Sequence, residues 1–222
     1  MSQPLFHHYA DFSTLSNALV QRWLTLLAST PATAVCSFAL AGGTTPAPIY
    51  RQFDAAAAGQ RQIQLVATDE RWVDDNDSQS NEGLFRQCFA HTSAQLISLK
   101  NQQPDPASAV AAINTRLSEN LPQPFSAVIL GMGTDGHIAS LFPDAPQLLI
   151  NDPSRHCVAA LHPQTQQPRM SLSMARLLNT QRLWLVITGA EKRQVLEDAT
   201  PYSPIGALLT AATCDVEIFW CP

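Results

Sequence analysis

Lysine is almost missing from this 222-residue chain: Lys100 and Lys192 are the only two. With 13 Lys+Arg against 18 Asp+Glu the net charge is −5, and no basic cluster occurs. A nucleic-acid or anionic-membrane partner would lack its usual electrostatic attraction, so neither is expected. No stretch approaches the ~18 continuous apolar residues that a membrane span requires. The opening MSQPLFHHYADF has no basic start followed by an apolar run, so no secretion signal is read and the cytoplasm is the expected location.

Metal chemistry has no visible ligand set. The five cysteines, Cys36, Cys88, Cys157, Cys214 and Cys221, are scattered and lack C-x-x-C spacing, which suits a reducing interior. His7, His8, His91, His156 and His162 show no H-x-x-x-H spacing and read as ordinary surface or core histidines. No metal and no cofactor is therefore expected. There is no G-x-S-x-G for a serine nucleophile, and neither G-x-G-x-x-G nor a P-loop for a nucleotide.

What is present is an alternation. Phe12 to Ala28 carries apolar residues at spacings of three and four, with Ser13 as the expected N-cap, and reads as an amphipathic helix. Thr33 to Ala41, Ile63 to Thr68, Phe125 to Leu130 and Arg182 to Thr188 are short apolar runs of the kind buried in parallel sheets. Helical segments are expected at Ser80 to Ala90, Pro106 to Asn120, Met174 to Thr180 and Ala190 to Ala199. The Asp74 to Ser80 stretch reads as a solvated loop, with a lid as the alternative. No repeat or composition shift divides the chain, so the expectation is one domain over 1–222: a three-layer α/β/α sandwich around a mainly parallel, Rossmann-like sheet. Ligands of such sheets sit outside the carboxyl ends of the strands, where four polar clusters would converge.

Each cluster has its own chemistry. Ala41-Gly42-Gly43-Thr44-Thr45-Pro46 follows a strand and opens a helix, so its backbone N–H groups, hydroxyls and helix dipole suit a phosphate. Asp69-Glu70-Arg71 ends another strand; the arginine offers permanent charge to a phosphate and a carboxylate could orient a histidine or a substrate hydroxyl. Gly131 to Pro143 (GMGTDGHIASLFP) displays His137 on a glycine-rich turn, where the next helix is expected to begin and to bias the imidazole toward its neutral form. Asp135 or Glu70 is the candidate to fix its tautomer, and Ser140 is expected to cap or pack one turn into that helix. Arg169 opens the expected strand RMSLS, and Lys192 follows Gly189 at a helix start, placed for a phosphate contact.

In the order LAGGTTP, ATDERWV, SNEGLFR, ILGMGTDGHIASLFP, RMSLS and ITGAEKR, from about Leu40 to Leu196, the chain resembles the 6-phosphogluconolactonase family of the short bacterial type. The resemblance implies a three-layer α/β sandwich related to glucosamine-6-phosphate deaminase and ribose-5-phosphate isomerase. It implies metal-free hydrolysis of 6-phospho-D-glucono-1,5-lactone to 6-phosphogluconate in the pentose phosphate pathway, with His137 as the catalytic histidine. Gly43, Thr44, Thr45, Arg71 and Lys192 are then expected around the phosphosugar lactone, joined by Gly42, Asp69, Arg86, Asp135 and Arg169. The partner is thus a small molecule, and the expected assembly is a monomer or small homo-oligomer. The deaminase relative follows Gly-His-Ile-Ala with Phe-Asn-Glu-Pro and uses that glutamate in opening the sugar ring; here Ser140-Leu141-Phe142-Pro143 stands instead. The tail CDVEIFWCP and Ala41, where serine is common, depart from the family pattern. A deaminase or isomerase and a non-catalytic phosphosugar sensor are the competing readings.

Overall fold

A computed structural model describes residues 4–57 and 62–222. The four apolar runs become parallel strands of one seven-stranded sheet, completed by the strands Leu5–His8, Gln95–Leu96 and Asp215–Cys221, which no apolar run had marked. In chain order these are β1 (Leu5–His8), β2 (Cys36–Leu40), β3 (Ile63–Ala67), β5 (Gln95–Leu96), β6 (Ala127–Leu130), β9 (Arg182–Thr188) and β10 (Asp215–Cys221). The intervening β4 (Asp69–Arg71), β7 (Cys157–Leu161) and β8 (Pro168–Leu172) form a separate sheet. The large sheet runs in the order β1-β10-β9-β6-β2-β3-β5 with every pair parallel. Its central strands β2 and β6 are buried at every position, as strands covered on both faces must be.

Helices α1 (Phe12–Ser29), α2 (Ala47–Ala57) and α3 (Asn81–Cys88) pack side by side, and α4 (Pro106–Asn120) packs against β7 and β8. After β8 come α5 (Met174–Leu178), α6 (Ala190–Glu197) and α7 (Pro204–Ala211), of which α5 and α7 touch. Trp23 of α1 stacks on Phe53 of α2 with ring centroids 3.8 Å apart and meets Phe38 of β2 edge-on. Truncating such a ring to alanine typically costs ~3–5 kcal/mol. One buried apolar cluster runs through both sheets, including Cys157, Met170 and Leu172 of the small one. No helix among the described residues is long and apolar enough to cross a membrane.

Three expectations need correction. The cap of α1 is Asp11, not Ser13: its carboxylate accepts from the Thr14 N–H at 2.7 Å, and Thr14 answers with its hydroxyl in a capping box. Asp69-Glu70-Arg71 is not a loop at a strand end but a strand in its own right, because after Ala67 the chain turns at Thr68 and pairs antiparallel with β8. No helix follows His137; the chain makes a tight turn, Ile138 bridging Leu141 with Ala139 at φ 49°, and the next helical residues are the 3-10 turn Pro146–Leu149. Pro143 lies in that stretch, and a proline disfavours helix in the residue before it.

Candidate active site

Consecutive members of the large sheet, β9-β6-β2-β3, end at one edge in Thr188, Leu130, Leu40 and Ala67, so the segments that follow them meet. They enclose a cavity of about 230 Å³. Gly42, Asp69, Arg71, His137, Arg169 and Lys192 line it together with Asn81, Met132 and the backbone of Gly131 and Gly133. Six of the eleven expected site residues are thus brought to one place. Gly43 and Thr44 line an adjoining cavity of about 240 Å³, and Thr45 lines a small one of about 50 Å³ that shares Gly42 and Lys192 with the first. Asp135 stands behind the histidine. Arg86 does not line these cavities; its guanidinium pairs with Asp75 at 2.9 Å and Glu82 at 3.5 Å.

The histidine turn is built on close approach. Gly133 donates its N–H to the His137 carbonyl at 2.9 Å, and a Cβ at Gly133 would overlap the imidazole and the Asp135 carboxylate. The choice left open between Asp135 and Glu70 is resolved by geometry: Asp135 Oδ1 lies 2.6 Å from His137 Nδ1 and also accepts the His137 backbone N–H at 3.1 Å. Glu70 is elsewhere, fully buried, accepting the N–H groups of Arg71, Asn81 and Glu82 and the hydroxyl of Ser80. Burial alone would raise the Asp135 carboxyl; the backbone N–H, the charge and the ring N–H of His137 outweigh it and hold the group below the usual carboxylate range. In the neutral tautomer that donates its Nδ1–H to this carboxylate, Nε2 carries the lone pair. Phe142 tilts against the imidazole, centroids 5.1 Å apart, and His162 meets Phe142 edge-on at 5.3 Å.

Two of the cavity's three cations come from the small sheet. In the β4–β8 register Arg71 stands directly opposite Arg169. Like charges in that position repel. Asp69 offsets one of them, 3.4 Å from Arg169, while accepting the Ser140 hydroxyl at 2.6 Å. Ser140 is thus buried but not helical, and it ties the histidine turn to β4. Arg71 has no ion pair among the described residues, and the Nε atoms of Arg71 and Arg169 are buried without a partner. Burial holds the Arg169 guanidinium below its ordinary pKa, Asp69 working the other way. Lys192, on the first turns of α6, makes no hydrogen bond or ion pair among the described residues. Three cations against one carboxylate, in a protein of net charge −5, give the cavity a charge that suits an anion.

The loop 74–80 is tied down: Asp75 holds Lys100 at 2.6 Å, and the Gln79 carbonyl accepts from Arg71 at 2.9 Å. Asn81 was not singled out in the sequence, although it stands inside the quoted SNEGLFR segment and reaches the cavity wall. Its signal was position: an asparagine opening a helix is normally read as a cap.

Fold and cavity together define a class: an α/β enzyme that sets a histidine–carboxylate pair beside a cationic cavity at the carboxyl ends of a parallel sheet. The chain belongs to the family described as Glucosamine-6-phosphate isomerases/6-phosphogluconolactonase, whose model matches residues 10–213. It is 37% identical over 190 residues to a 6-phosphogluconolactonase of Caulobacter vibrioides, covering 82% of either chain. With a 6-phosphogluconolactonase of Rhizobium meliloti it shares 30% identity over 228 residues, 97% of this chain and 98% of the relative. The crystal structure of a 6-phosphogluconolactonase from Shewanella baltica superposes with a TM-score of 0.90 at 27% identity, covering 100% of this chain and 99% of that one. A monomeric glucosamine-6-phosphate deaminase shares the fold at a TM-score of 0.79 and 17% identity.

Proposed function

We propose that this protein hydrolyses 6-phospho-D-glucono-1,5-lactone to 6-phosphogluconate, the step its relatives are named for in the oxidative pentose phosphate pathway. The observation that carries the choice within the family is Phe142. It is 1% exposed and packs on the His137 ring at the place where the deaminase pattern carries a glutamate. An apolar ring there can neither give nor take a proton, so ring opening and deamination lack their second carboxylate, whereas a lactone needs one base.

In this reading His137 Nε2 takes a proton from water as the oxygen attacks the lactone carbonyl, Asp135 steadies the imidazolium, and the proton passes to the departing ring oxygen. A general base of this kind is worth ~10²–10⁴-fold. The N–H groups of Gly133, Gly136 and His137 are already bonded within the turn. The substrate phosphate falls to the arginine side of the cavity, with Lys192 and the Gly42 loop completing its cradle. Binding the remote phosphate fixes the carbonyl over the water and turns binding energy into orientation. All five thiols are free, which fits the cytoplasmic setting of such a reaction.

The test generates the lactone in situ from glucose 6-phosphate and its dehydrogenase and follows acid release with and without the protein. Acceleration well above spontaneous hydrolysis is expected. Release of ammonia from glucosamine 6-phosphate without lactone turnover would replace this reading with the deaminase one, and tight phosphosugar binding with neither reaction would make the protein a sensor.

A further inference from the structure

Arg71 and Asn81 are the residues that line both the main cavity and the adjoining one, so the contact between them is the wall dividing the two. Asn81 is 1% exposed and opens α3. Its backbone N–H is held by Glu70 at 2.9 Å, and its Nδ2 donates to the Asp69 carbonyl at 2.7 Å. That leaves Oδ1 pointing one way only, and it accepts from Arg71 Nη1 at 2.6 Å. On its other side the carboxamide lies flat against Gly42, where a Cβ would overlap it. Asn81 is therefore wedged between the Gly42 loop and β4, with each polar atom committed.

We propose that Asn81 is a positioning residue for substrate binding, acting through Arg71; the proposal rests on the lactonase reading above. The neutrality of its oxygen is the point. Both acceptors of Arg71 Nη1, Asn81 Oδ1 and the Gln79 carbonyl, are uncharged, so the guanidinium is fixed in place while its charge stays available to the substrate anion. A carboxylate in either place would hold the arginine equally well and cancel the charge it presents. Glu70, the nearest buried acid in sequence, is turned away, occupied by four donors of the segment Arg71 to Glu82.

The experiment is a double-substitution cycle of Asn81→Ala and Arg71→Ala. It is read by calorimetric binding of 6-phosphogluconate and by KM and kcat for the lactone, with thermal melting as the control on folding. Asn81→Ala is expected to raise Kd and KM about tenfold, the loss of one charge-assisted hydrogen bond, with kcat within about threefold. In the Arg71→Ala background removing Asn81 should add less than about twofold, because the residue it positions is gone. Effects that multiply in the double variant, or a fall in kcat at unchanged KM, overturn the proposal. If Asn81→Ala does not fold, Asn81→Ser, which keeps a polar group in the buried slot but is too short for the Arg71 contact, enters the same cycle. Wild-type protein that binds 6-phosphogluconate without hydrolysing the lactone would sink the lactonase reading alone and leave the cycle to be decided by calorimetry.

Discussion

The two sheets divide the site between them. On the lactonase reading the large parallel sheet supplies the reacting group: β6 runs into the glycine turn that carries His137, and the contacts that fix the imidazole, Gly133 to His137 and Asp135 to His137, lie within a few residues of chain. The small antiparallel sheet supplies two of the three cations. There Arg71 and Arg169 are adjacent only through strand register; Asp69 of β4 pairs with Arg169 and takes the Ser140 hydroxyl from the histidine turn, and Asn81 reaches Arg71 from α3. On that reading proton transfer rests on local chain geometry and anion binding on long-range assembly. Substitutions in the first region should change kcat, and those in the second KM.

Removing the base tests the first half most severely. His137→Ala should lower kcat by ~10²–10⁴-fold with KM little changed. Turnover near that of the wild type, measured above spontaneous hydrolysis, would remove His137 from the mechanism. Next comes Arg169→Ala, which takes away one arm of the anion site and strips buried Asp69 of its counter-charge. KM should rise about 10- to 100-fold, the range for hydrogen bonds to a charged partner, and the melting temperature should fall as well. Were kcat rather than KM to collapse, the division of labour between the sheets would be wrong. Asp135→Asn should act on kcat alone and less strongly, about tenfold, because the carboxylate is 44% exposed and solvent shares its work.

The same division decides how much could be read from the sequence. Four of the seven parallel strands, β2, β3, β6 and β9, announced themselves as apolar runs, and α4 and β9 fall where Pro106 to Asn120 and Arg182 to Thr188 were expected; the mixed or very short β1, β5 and β10 did not. His137, Gly42, Arg71, Arg169 and Lys192 were legible because each sits beside a strand end or within a compact motif. Of the small sheet only β8 was legible, as the strand RMSLS. Asp69-Glu70-Arg71 is three residues long and wholly polar, so no period-2 apolar signal marks it as a strand; its partner β8 supplies the pairing. For the same reason Asp69 could be named without its role as the anchor of Ser140 and Arg169, and Asn81 could not be named at all. The helix expected after His137 failed on backbone geometry: Ala139 takes a positive φ to turn the chain back, and Pro143 follows in the stretch where the helix would have run.

The smallest expected effect separates the two regions by pH. Asp135 is held below the usual carboxylate range, against the upward pull of burial, by the backbone N–H, the charge and the ring N–H of His137. A carboxyl whose folded pKa lies below its unfolded value of ~3.9 binds its proton more readily when unfolded. Its contribution to stability is therefore complete above that unfolded value and is lost as pH falls through the lower, folded one. The gap in melting temperature between wild type and Asp135→Asn should be level from about pH 7 to pH 5 and close at more acid pH. For a group this exposed the gap is small throughout, since solvent screens the pair. Melting curves of the two proteins across that range decide it: a gap that persists undiminished in acid would mean that the carboxylate does not take its hold on the His137 turn through its charge.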